Sequence, residues 1–199
     1  MRNSLLPAIA LLAVALSGAA TRHWTETEHE TLWSGRYSNC DKGYAVDLPP
    51  NVVGHGTHSP APNHGIVISA AKPQSTSIVS LDDERLIDVY DEYDARELGS
   101  PRTWLEEELE RSKPTNRPDV REIRFRGLPA VHVRYQSERQ SSRETTDEVI
   151  VFRKDPTPIF YVLMLRTPTQ HFREDAPLYK RILHGFRIHA VPKGACSND

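Results

Sequence analysis

Three histidines, His55, His58 and His64, fall within ten positions of a stretch rich in Gly, Pro and Asn. Imidazoles so close in sequence suit two chemistries. Neutral ring nitrogens on an ordered loop can give three ligands to zinc or copper and leave one position open. An imidazole beside a carboxylate can instead take a proton from a nucleophile. The stretch has no carboxylate or cysteine to complete a metal set, and its spacings match no established ligand pattern. The expectation is therefore a polar loop from Asn51 to His64, with no metal and with these three histidines as the candidate ligands. His64, next to Gly65, is expected to hold the start of a strand through a backbone bond.

Gly54-His55-Gly56-Thr57-His58 resembles the catalytic-histidine motif of subtilisin-like serine proteases. That mechanism also needs an orienting aspartate and a nucleophile on a tight Gly-rich segment. Here the motif runs into Ser59-Pro60-Ala61-Pro62, no Gly-Thr-Ser-Met-type segment follows, and 199 residues are too few for that fold. Gly-x-Ser-x-Gly, a phosphate loop and a dinucleotide fingerprint are all absent from the sequence. Each catalytic set lacks a necessary member, so no catalytic residue and no cofactor is expected. An enzyme of another type using the histidine loop would need His55 or His58 to line a cleft with a carboxylate in reach.

Asp82, Asp83, Glu84, Asp88, Asp91, Glu92, Asp94 and Glu97 form an acidic run without the Asp-x-Asp-x-Asp-Gly spacing that presents successive oxygens to calcium. On a strand, alternate carboxylates share a face about 6 to 7 Å apart. Cross-strand pairing with Arg124 and Arg126 on a solvated sheet face is the expectation. A formal net charge of −2, with basic residues from Arg117 to Arg143 interleaved with acids, supplies no clustered cationic surface. Nucleic acid is excluded as the main partner.

The elements that must carry these residues follow from periodicity. Gly43 to Leu48 alternates and stops at Pro49-Pro50, predicting a strand. Gly65 to Ala71 and Arg85 to Ala95 are further strands, the latter with Ile87, Val89, Tyr93 and Ala95 on one face. Ser100-Pro101 predicts a helix start, Trp104, Leu105 and Leu109 its apolar stripe, and Pro114 its end. Val120 to Arg126 and Ala130 to Tyr135 flank a turn at Gly127-Leu128-Pro129. Val149 to Phe152 and Ile159 to Leu165 make a second hairpin, whose last strand is apolar on both faces and so must be central. Asp175 is expected to cap a last helix over Leu178, Ile182 and Leu183, before a short strand at Phe186 to His189. The order predicts an α+β fold, a mainly antiparallel twisted sheet with helices packed on it, in one domain over residues 40–199. Residues 21–39 read as an irregular polar arm.

Met1-Arg2-Asn3, the apolar run Leu5 to Leu16 and the small residues Ser17 to Ala20 have the order of an export signal, with cleavage expected after Ala19 or Ala20. Twelve apolar residues are too few to span the hydrocarbon core, which takes about 20. Residues 1–20 are therefore expected to be removed, giving a periplasmic or secreted soluble protein with no stable membrane span. In an oxidising compartment Cys40 and Cys196 are expected to form a disulfide joining the two ends of the domain. The chain-entropy account gives about 5 kcal/mol for so long a loop.

The strand from Gly43 into Pro50, the Gly127-Leu128-Pro129-Ala130-Val131 hairpin, the strand Phe160 to Leu165 and the closing Arg181-Ile182-Leu183-His184-Gly185-Phe186 together resemble the Mog1/PsbP-like fold. The resemblance covers most of residues 43–189 and implies an α/β/α sandwich. It also implies a role as an adaptor, accessory subunit or small-molecule binder, with no catalytic set to transfer. The reading is an exported, non-enzymatic binding or accessory module whose partner is another envelope or secreted protein. A small-ligand or lipid carrier, with an apolar pocket between sheet and helix, is the alternative.

Overall fold

A computed structural model describes residues 32–57, 64–77, 79, 83–92, 100–139, 142–155 and 158–190. The export segment, residues 21–31 of the arm, His58, Cys196, Asp82, Tyr93, Asp94, Ala95 and Glu97 lie outside the described residues.

Residues 32–39, expected to be irregular, form two short strands, β1 (Leu32–Ser34) and β2 (Arg36–Asn39). Trp33 and Tyr37 anchor them, their rings edge to face at 5.2 Å. β3 (Tyr44–Asp47) follows as predicted. The expected loop from Asn51 to His64 contains β4 (Val53–Thr57) and the first residue of β5 (His64–Ser69). Its glycines do not prevent pairing because β4 lies between β1 and β5 and bonds to both. β6 (Leu86–Glu92) precedes α1 (Pro101–Ser112). The helix starts where the sequence places it: Ser100 Oγ accepts the Thr103 N–H at 3.2 Å, with Pro101 in the first turn.

β7 (Asp119–Phe125) and β8 (Leu128–Arg139) are joined by Arg126-Gly127, both at positive φ, 53° and 83°. That is the two-residue turn whose twist matches a hairpin, tighter than the expected turn at Gly127-Leu128-Pro129. β9 (Ser142–Arg153) and β10 (Ile159–Pro168) come next, then α2 (Phe172–Gly185) and β11 (Phe186–Ile188). β8 and β9 extend well beyond their apolar cores, pairing in register from Ala130↔Val151 to Arg139↔Ser142. Their polar ends therefore sit within the sheet.

Eight strands form one antiparallel sheet in the order β1-β4-β5-β6-β10-β9-β8-β7, and β11-β3-β2 form a small second sheet. Alternation divides the core between two faces. Trp104 and Leu105 of α1 cover Val131, Val133, Ile150, Phe160 and Val162. Leu178, Tyr179 and Ile182 of α2, with Tyr44, Val46 and Phe186 of the small sheet, cover Val149, Val151, Tyr161, Leu163 and Leu165. The result is the α+β fold with an antiparallel sheet that the residues predict, arranged as the α/β/α sandwich that the resemblance implies, and β10 is central and apolar on both faces. Among the described residues no helix is long and apolar enough to cross a membrane.

Two side-chain roles differ from expectation. Asp175 is not a cap but lies inside the first turns of α2, 2% exposed. There it accepts from Arg85 Nε at 2.9 Å and Thr167 Oγ1 at 2.6 Å, pinning the helix to the sheet. Arg124 and Arg126 do not meet the described members of the acidic run: Arg124 donates to the Gly127 carbonyl at 3.0 Å and Arg126 to the His184 carbonyl at 2.5 Å. β7 is an edge strand on the far side of β8, β9 and β10 from β6, so no register could bring them together.

Candidate functional site

The histidine loop resolves into structural roles where it is described. His55 is 2% exposed, and its Nε2 donates to the Ser75 carbonyl at 3.1 Å, tying the segment after β5 back onto β4. His64 opens β5 in register with Asp91. His55 pairs in register with Val67, three positions along β5 from His64, a separation of about 10 Å along the strand. Among the described residues no group of three His, Cys, Asp or Glu side chains is placed to hold a metal.

A polar cleft lies elsewhere, on the α1 face of the sheet, where the helix ends and the sheet continues. Its volume is about 310 Å³. Trp104 and Leu105 fill the face under the first turns of α1, and beyond them the sheet rows turn polar. In one row Val133, Glu148, Met164 and Asp88 stand opposite one another across β8, β9, β10 and β6. In the next, Tyr135, Thr146 and Arg166 do so. Glu144 and Ser137 face each other in the row beyond. The last turn of α1 adds Glu108, Arg111 and Ser112, and Tyr90 closes the β6 side.

The walls are locally ordered. Tyr135 donates its hydroxyl proton to Ser112 Oγ at 3.0 Å, and Ser112 donates to Glu108 Oε1 at 2.7 Å. Arg111 meets the other oxygen of Glu108 at 3.0 Å. Arg166 lies 3.7 Å from Glu144. Glu148 sits on the floor, 1% exposed, and its Oε2 has no hydrogen-bond partner. Arg111 and Glu138 are exposed at the rim, where the cleft meets solvent.

Burial, and then the neighbouring Glu108 charge, push the Glu148 carboxyl up to about 8. Burial likewise raises Asp88 to about 7 against the pull of Arg166, and raises Glu144 against Arg166 and Arg139. Tyr135 is pushed up to about 12 by burial and by Glu148. The floor thus holds a protonated carboxyl that releases its proton near neutrality, the kind of perturbed group that concentrates at functional sites. It can hold a proton, donate one hydrogen bond, or take a cation in the proton's place.

None of Glu148, Tyr135 or Tyr90 was singled out by spacing. One local signal was there: Thr146, Glu148, Ile150 and Phe152 share a parity, which puts an acid on the face that Ile150 buries. A second buried acid, Asp91, lies on the α2 face, where Asn39 Nδ2 donates to its Oδ1 at 3.2 Å and burial raises it to about 7.

No family model matches the chain, and no curated protein matches it. Among solved structures it resembles LpqN, a protein involved in cell envelope biogenesis of Mycobacterium tuberculosis, at 15% identity and TM-score 0.54, covering 80% of this chain and 92% of that one. A Pseudomonas aeruginosa protein of unknown function, PA94, matches at 13% identity and TM-score 0.46, covering 77% and 99%. Cyanobacterial PsbP from Synechocystis sp. PCC 6803 matches at 12% identity and TM-score 0.47, covering 82% and 96%. The likeness to LpqN concerns the fold alone: an antiparallel sheet with helices packed on it.

Proposed function

We propose that this protein is an exported, non-enzymatic binding module of the cell envelope that receives a small polar ligand in the cleft at the end of α1. The observation that carries the reading is Glu148, a fully buried carboxyl with an unpartnered oxygen on the floor of a cleft that opens at Arg111. A buried polar atom without a partner costs about 1–3 kcal/mol, and a bound ligand can supply the missing bond. Export rests on the signal-like residues 1–20, and the shared fold with LpqN fits an envelope role. The charged walls favour a polar ligand over a lipid. The buried His55, bonded to a backbone carbonyl, disfavours an enzyme built on the histidine loop.

The test is native mass spectrometry of the full chain expressed with residues 1–20 and purified from the exported fraction. A small-molecule adduct present on the wild type and lost on Arg111→Trp, which blocks the rim, is the expected result. Retention of the chain in the cytoplasm, or turnover of a broad hydrolase panel by the purified protein, would overturn the reading.

A further inference from the structure

The cleft's charges are matched unevenly. Three arginines line it, each beside a carboxylate: Arg111 is bound to Glu108, Arg166 lies against Glu144, and Arg139 also acts on Glu144. Glu148 makes no ion pair among the described residues. An anionic ligand would have to compete with Glu108 and Glu144 for these arginines, and a purely apolar one would leave the orphaned Glu148 oxygen unpaired. Tyr90 and Tyr135 add aromatic surface to the walls, and such rings attract cations within about 6 Å. The carbonyl end of the twelve-residue α1 points the negative pole of its dipole at the same region.

We propose that the cleft takes the ammonium group of a small organic amine, seated against Glu148 with the rings of Tyr90 and Tyr135 around it. This rests on the reading of the cleft as a ligand site and names the class of ligand. The exchange balances: the R–NH3+ group enters, the Glu148 carboxyl loses its proton to solvent, and an ammonium–carboxylate pair forms with no covalent bond made or broken. The groups that bear on that proton are Glu108, Arg111 and the Trp104 indole from α1 and Asp88 from β6, with Tyr90, Tyr135 and Arg166 lining the same cleft. A volume of about 310 Å³ admits a small molecule at the lower end of the usual range for such sites.

The experiment is isothermal titration calorimetry of the purified protein with butylamine, and with butanol and butyrate as neutral and anionic probes of the same size. Butylamine alone should bind. Because Glu148 must ionise and titrates near 8, the affinity should rise about 50-fold from pH 6 to pH 8 and then level off. Titrations at pH 6 in buffers of different ionisation enthalpy should show about one proton released per amine bound. Glu148→Gln should weaken binding at pH 8 by more than tenfold and abolish its pH dependence. Preferential binding of butanol or butyrate at the cleft would overturn the amine inference while leaving a binding module in place. Absence of saturable butylamine binding at pH 9 would overturn it too, and the adduct measurement above then decides the broader reading by itself.

Discussion

Glu148→Gln isolates the strongest electrostatic feature of the molecule. The folded protein holds the Glu148 proton up to about pH 8, whereas the unfolded chain releases it near 4.5. Between those values the folded state binds more protons than the unfolded state, so stability falls as pH rises and levels off above about 8. At about 1.36 kcal/mol per pH unit, the rise from 4.5 to about 8 costs about 5 kcal/mol at high pH and only about 1 kcal/mol at pH 5. Glutamine keeps the shape and removes the ionisation. The variant should therefore be more stable than wild type by about 1 kcal/mol at pH 5 and about 5 kcal/mol at pH 9. Urea unfolding of both proteins at unit steps of pH reads this directly. Asp91, raised to about 7 on the opposite face of the sheet, shifts both proteins in the same direction and cancels in the difference, whereas Asp88 is coupled to Glu148 and adds to it. A stability difference that stays flat from pH 5 to pH 9 would refute the placement of Glu148 as a buried, protonated floor.

Asp175→Asn leaves Arg85 without the buried carboxylate that fixes α2 to the sheet, and should cost about 3 kcal/mol by chemical denaturation at pH 7. Gly185→Ala puts a methyl group 2.2 Å from the Asp47 carbonyl oxygen, where α2 crosses β3. The melting temperature should fall despite alanine's better helix propensity, which is worth about 1 kcal/mol. The proposed Cys40–Cys196 bridge predicts no free thiol before reduction, two after it, and a lower melting temperature in reductant. The bond from His189 N–H to the Gly43 carbonyl, 3.0 Å, supports it by bringing the chain's exit to the turn after Cys40. Ser100→Ala should destabilise α1 by about 1 kcal/mol, seen as faster amide exchange in its first turn.

The histidines attracted chemical interest because they stand close together in the chain. In the fold, His55 is spent on a backbone carbonyl, and the proposed ligand contact falls on Glu148, which has no motif around it. Only the half of β9 from Val149 onward is apolar, and its polar half from Ser142 gives no strand signal in the sequence. Its acids are poor strand formers in isolation, yet both neighbouring strands supply their hydrogen bonds. The arm before Cys40 differs: strands of three or four residues carry too little periodicity to show, and packing of Trp33 and Tyr37 decides them.

The sequence alone determined what depends on near neighbours. Ser100-Pro101 starts α1 through local capping, the break at Gly127-Leu128-Pro129 between two alternating runs calls for a hairpin, and the doubly apolar run from Ile159 must lie at the centre of a sheet. The tertiary structure decided the cleft. Its floor needs β6 beside β10 and β10 beside β9, so that Asp88, Met164 and Glu148 stand in one row although 76 positions separate the first two. That row is fixed by strand order and register, and a shift of one residue would send Glu148 to the opposite face. Glu148's unusual proton affinity follows from the helix and strands that enclose it, which no window of sequence around it contains.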